Sequence, residues 1–76
     1  MGEIYFSGVI IGFEQLPGFN EILIYTYGSV NGNETYFYVK IEKDLLEKYI
    51  KYGIGQRIEG IGEVLSENPF IVLKKK

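Results

Sequence analysis

The sequence predicts one small all-β barrel of five strands, with a single short α-helix between the third strand and the fourth. Three observations carry this reading. The apolar runs are built from Ile, Val, Tyr and Phe, residues that suit a pleated, half-buried surface. An Asn-Gly pair separates two such runs, which is the strongest short-range signal of a hairpin. Only one stretch changes to helical spacing.

The first strand is expected over Ile4 to Phe13. Its length alone would allow a helix, but its β-branched and aromatic residues, with Gly8 and Gly12 inside the run, fit a bent strand. Glycine within a strand marks a bulge or a sharp coil, which closure of a small barrel requires. Tyr5 and Phe6 point to opposite faces, so one of them belongs to the core. Leu16-Pro17-Gly18-Phe19-Asn20 reads as a turn, because Pro-Gly presets a reversal and removes a ladder donor.

Glu21 to Gly28 and Glu34 to Glu42 form the next two strands. With Asn31 and Gly32 as the loop, the register follows: Val30 faces Asn33, Thr26 faces Phe37, Ile24 faces Val39 and Ile22 faces Ile41. On the opposite face Tyr27 meets Tyr36, Tyr25 meets Tyr38 and Leu23 meets Lys40. One side is aliphatic and the other is tyrosine with lysine. A loop longer by one residue would scramble that match, because side chains alternate with period two.

Lys43 to Tyr52 is the helix. Leu45, Leu46, Tyr49 and Ile50 fall on one side, with Lys48 and Lys51 on the other. Asp44 suits the N-terminus and Gly53 the stop. A helix this short draws its stability from plugging the barrel. The fourth strand follows over Arg57 to Leu65, with Ile58, Gly60, Gly62 and Val64 alternating against Arg57, Glu59, Ile61 and Glu63. Ser66-Glu67-Asn68-Pro69 is a turn, Phe70 to Leu73 the last strand, and Lys74 to Lys76 a solvated tail.

Seventy-six residues make one domain, residues 1–76, without repeats or linkers. A chain of this size buries roughly 60% of its unfolded surface, and a stability of roughly 4–11 kcal/mol is ordinary for it. With no Cys and no His, neither disulfides nor soft-metal ligands reinforce it. No basic segment followed by an apolar one opens the chain, and no apolar run spans a bilayer, so a cytoplasmic protein is expected. The richness in Glu, Lys, Ile and Tyr resembles that of thermophile proteins. The net charge of −2 argues against coating duplex DNA by bulk charge. It is compatible with single strands, where stacking carries much of the free energy.

The element order resembles that of the OB-fold, a five-stranded Greek-key barrel. Ser7-Gly8-Val9-Ile10 resembles the family's bent first strand. The segment from Ile54 to Val64, with Gly55 opening it, resembles the glycine turn into strand four. The likeness covers the whole chain and is nearest to compact single-strand-binding and tRNA-anticodon-binding modules. An SH3-like barrel is the alternative topology, and the helix between strands three and four counts against it.

Catalysis is not expected. The common general base and thiol nucleophile are absent, and Ser7, Ser29 and Ser66 have no evident base partner. Glu42, Asp44 and Glu47 suit a helix start better than a carboxylate site. The spacing of Gly53, Gly55, Gly60 and Gly62 is not that of a phosphate loop. Neither a cofactor nor a metal is anticipated. Resemblance to the OB-fold implies a ligand face on strands two and three, flanked by the strand one–two and four–five loops. That face holds Tyr25, Tyr27, Tyr36, Tyr38 and Lys40, with Phe19 in the first flanking loop and Arg57 at the border. Aromatic rings offer platforms for bases, worth on the order of 1–3 kcal/mol per base, and Lys40 and Arg57 suit phosphate. Single-stranded DNA or RNA is therefore the expected partner. Two other readings stay open: the same tyrosines as a homodimer or protein-partner surface, and cross-strand pairs that simply stabilise the sheet.

Overall fold

A computed structural model of the protein describes residues 3–15, 18, 20–42, 53–68 and 70–75. The helix expected over Lys43 to Tyr52 lies outside the described residues, as does Phe19. Five strands are present: β1 (Glu3–Gln15), β2 (Glu21–Val30), β3 (Asn33–Glu42), β4 (Arg57–Ser66) and β5 (Ile71–Lys75). They form a closed barrel in the order β1-β2-β3-β5-β4, with β4 returning to β1. All pairings are antiparallel except β3 with β5. This order and closure are consistent with an OB-fold.

The β2–β3 hairpin has the register that its turn dictates. Asn31 and Gly32 both take positive φ, 52° and 88°, the geometry whose twist matches that of the flanking strands. Every pair from Glu21↔Glu42 to Val30↔Asn33 is in step, including Tyr25↔Tyr38 and Tyr27↔Tyr36.

β1 is long because it serves two neighbours. Glu3 to Val9 pairs with β4 and Phe6 to Gln15 with β2. Gly8 stands opposite Gly28, and the backbones approach more closely there than any side chain permits. A Cβ at Gly28 would lie 2.1 Å from the Ser7 carbonyl oxygen, and one at Gly8 would lie 2.6 Å from that of Tyr27. Two registers slip by one residue: β1 against β2 between Ile10 and Gly12, and β4 against β5 between Val64 and Ser66. Ile11 and Leu65 are thus the extra residues of two bulges.

The barrel encloses Phe6, Ile10, Ile22, Ile24, Val30, Phe37, Val39, Ile41, Ile58 and Leu73. Phe6 and Phe37 meet edge to face, with centroids 5.9 Å apart. Thr26 is the one buried polar side chain among the described residues, and its hydroxyl donates to the Ile24 carbonyl at 3.2 Å. Tyr5 points out and Phe6 in.

One end of the chain departs from expectation. The last strand begins at Ile71 rather than Phe70, and Lys74 and Lys75 belong to it rather than to a solvated tail. Lys74 pairs with Lys40 of β3 on one side and Glu63 of β4 on the other. Lysine has no intrinsic strand preference, so pairing with the established strands decides the conformation of Lys74 and Lys75.

Candidate functional site

Strand alternation fixes the outer surface of the hairpin. Because Ile22, Ile24, Thr26 and Val30 turn inward, Leu23, Tyr25 and Tyr27 turn outward. On β3 the inward residues are Phe37, Val39 and Ile41, which leaves Tyr36, Tyr38 and Lys40 outside. All four tyrosines named from the sequence therefore share one face.

Their rings form a continuous ladder. Tyr27 and Tyr36 have centroids 4.6 Å apart, Tyr36 and Tyr25 stack at 5.6 Å, and Tyr25 and Tyr38 lie 5.0 Å apart. The row ends on Phe70, whose ring meets that of Tyr38 edge to face at 5.8 Å. Tyr27, Tyr36 and Phe70 are exposed, whereas Tyr25 and Tyr38 are half-buried. Sequence reasoning placed Phe70 inside a strand. It instead sits in the loop before β5, and its only advance signal was an aromatic residue following a Ser/Asn/Pro turn.

The cations are arranged differently from expectation. Lys40 does lie on the tyrosine face, but its Nζ is 3.1 Å from Glu21 Oε1. Both side chains are partly exposed, so this ion pair contributes at most about 1 kcal/mol. Lys74 stands in register beside Lys40 on the adjacent strand and is exposed. Arg57 is opposite Val9, which is opposite Tyr27, so Arg57 borders the ladder at two strand spacings, about 10 Å away. Phe19, the remaining residue named from the sequence, is outside the described residues.

Comparison with protein-family models, curated proteins and solved structures returned no match.

Beyond the hairpin, the exposed apolar surface continues onto β1 and β4. Tyr5, Val9, Ile11 and Ile61 are all exposed, with Tyr5 opposite Ile61. Tyr5 donates its phenol hydrogen to Glu59 Oε2 at 2.7 Å, and this bond, with the nearby carboxylate charge, raises the phenol above its ordinary value.

Two hollows are lined by the described residues. The larger, about 410 Å³, opens at the barrel end between Ile4, Val30, Val64 and Ile71, with Glu3 and Glu67 among its lining residues. It is the mouth of the core and contains no aromatic ring among the described residues. The smaller, about 280 Å³, lies at the Phe70 end of the ladder, between Tyr38, Leu23, Val72, Glu14, Ser66, Asn68 and Phe70. Among the described residues no group of His, Cys, Asp and Glu is arranged to hold a metal ion.

Proposed function

We propose that this barrel binds single-stranded nucleic acid, DNA or RNA, across the outer face of β2 and β3, without catalysis. The observation that carries the reading is the aromatic ladder from Tyr27 to Phe70, which crosses the hairpin and reaches the β4–β5 loop. Bases stack on such rings regardless of identity, at about 1–3 kcal/mol each. Two or three stacks give useful affinity on a protein of net charge −2. Lys40 and Lys74 stand side by side at one side of the ladder as candidate phosphate contacts, each with a carboxylate neighbour, Glu21 and Glu63.

The test is a titration with a short oligonucleotide at low salt, followed by amide and ring chemical shifts. Perturbations concentrated on Tyr25 to Tyr27, Tyr36 to Lys40 and Phe70 are expected. Shifts confined to other strands, or none, would reject the reading.

A second reading draws on a separate observation. The exposed residues Tyr5, Val9, Ile11 and Ile61 extend the apolar surface beyond the hairpin, as a protein contact would need. It expects a homodimer or a place as a small subunit. Light scattering on the protein and on a Tyr25→Ser, Tyr38→Ser double variant separates the two. Loss of a dimer with intact oligonucleotide binding favours the protein contact.

A further inference from the structure

We infer that the groove at the Phe70 end of the ladder takes a single nucleobase and selects guanine. This rests on the single-strand reading above and adds a base preference to it. The starting observation is what the two bulges do. In β1, outward residues run Tyr5, Ser7 and Val9, and strict alternation would then turn Glu14 inward. The extra residue Ile11 inverts the parity, so Glu14 stands opposite Leu23 on the tyrosine face. In β4, Ile58, Gly62 and Val64 face the barrel, and alternation would send Ser66 inward as well. The extra residue Leu65 turns Ser66 outward, opposite Val72. Both register slips of the barrel thus deliver a polar side chain to the same groove, beside Tyr38 and Phe70. Bulges commonly re-aim side chains at functional sites.

The delivered groups are acceptors. Glu14 is exposed, and an ionised carboxylate only accepts. Ser66 Oγ commits its hydrogen to the Asn68 carbonyl oxygen at 3.1 Å, so the hydroxyl is left able only to accept. The walls are mainly apolar and aromatic, Leu23, Val72, Tyr38 and Phe70, with the Asn68 amide and the Tyr38 hydroxyl as lining groups that can also donate. The volume of about 280 Å³ suits one planar ring system, not a folded oligonucleotide. Such a groove favours a base whose edge carries adjacent N–H donors. Guanine presents N1–H and the 2-amino group side by side, matching both oxygens of one carboxylate. Cytosine and adenine place a ring-nitrogen acceptor beside their amine, which the carboxylate repels. Thymine and uracil offer one N–H between two carbonyls.

The experiment uses the full chain and thymidine oligonucleotides whose central base is T, G, A, C or inosine, with affinities from fluorescence anisotropy. One bidentate contact predicts about tenfold tighter binding for central G than for T, A or C. Inosine, lacking the 2-amino group, falls between G and T. In Glu14→Gln the G-to-T affinity ratio collapses to within about twofold, since the amide offers only one acceptor. Glu14 is exposed, so the variant folds, which circular dichroism verifies. Equal affinity for all central bases, or an undiminished G-to-T ratio in Glu14→Gln, overturns the guanine preference and leaves the stacking function standing. Absence of binding to every oligonucleotide at low salt overturns the function itself, and the base preference with it.

Discussion

At the residue scale the four tyrosines named from the sequence are not equivalent. Tyr25 is half-buried and touches both Tyr36 and Tyr38, while Tyr36 is more than half exposed at 52%. An aromatic pair contributes about 0.5–1.5 kcal/mol beyond its burial, so Tyr25→Ala is expected to lower stability by about 1–3 kcal/mol. Tyr36→Ala is expected to cost less stability and to weaken oligonucleotide binding by the loss of one stack, about 1–3 kcal/mol. Urea midpoints and anisotropy on both variants check the division, and the reverse ranking would contradict it. Tyr5 gives a pH signature. Its raised value comes first from the hydrogen bond to Glu59, then from desolvation and the nearby carboxylate charge. That contribution is complete below the ordinary phenol value of about 10 and is lost as pH rises through the folded value. In a tyrosinate absorbance titration, Glu59→Gln should bring the Tyr5 ionisation to lower pH; an unchanged curve would exclude the bond. Residue identities on the tyrosine face were legible in the sequence because period-two alternation assigns faces without coordinates. Phe70 was not, because its contact with Tyr38 depends on how a loop folds back. Lys74 was hidden by its setting in a charged run.

At the element scale the hairpin and the bulges behave oppositely as sequence signals. Asn31-Gly32 accepts positive φ at both positions, and that local preference fixes ten pairs of residues at once. Ile11 and Leu65 are ordinary strand residues, so nothing local marks them as the extra members of bulges. Their positions come from reconciling β1 with two partners and β4 with a strand whose neighbour runs parallel. Gly8 and Gly12 did signal irregularity in β1: Gly12 flanks the bulge and Gly8 marks the close approach to Gly28. This approach yields a prediction. In Gly28→Ala the new methyl meets the Ser7 carbonyl and the Gly8 backbone, neither of which is the free end of a side chain. A loss of about 3 kcal/mol, at the upper end of overpacking costs, is expected in chemical denaturation. A loss below about 1 kcal/mol would mean that the strands do not cross so tightly. The expected helix over 43–52 and Phe19 lie outside the described residues.

At the scale of the whole molecule, charge and closure set the behaviour. If the protein binds single strands as proposed, through rings and two or three cations on a net charge of −2, it should show a shallow salt dependence. For two phosphate contacts on a single strand, the slope of log affinity against log salt is about −1.4. Affinities across a salt series measure it, and a slope several times steeper would demand a basic surface that Lys40, Lys74 and Arg57 do not supply. Fold class was readable from the sequence because the order of elements and one turn restrict the topology. The parallel pairing of β3 with β5 became clear only from the closed barrel, since it joins residues about thirty positions apart. That pairing has a further consequence. Tyr38 and Lys40 stand on one side of the β3–β5 seam, with Phe70 and Lys74 on the other, so a strand lying on the ladder bridges the line along which the barrel would open. On the proposed function an occupant would act as a clasp: its grip and the retention of β5 would rise together. Hydrogen exchange at Val39 and Leu73 is then expected to slow by a factor that grows as one plus the ratio of free ligand concentration to Kd, and exchange unchanged by a saturating oligonucleotide would contradict it.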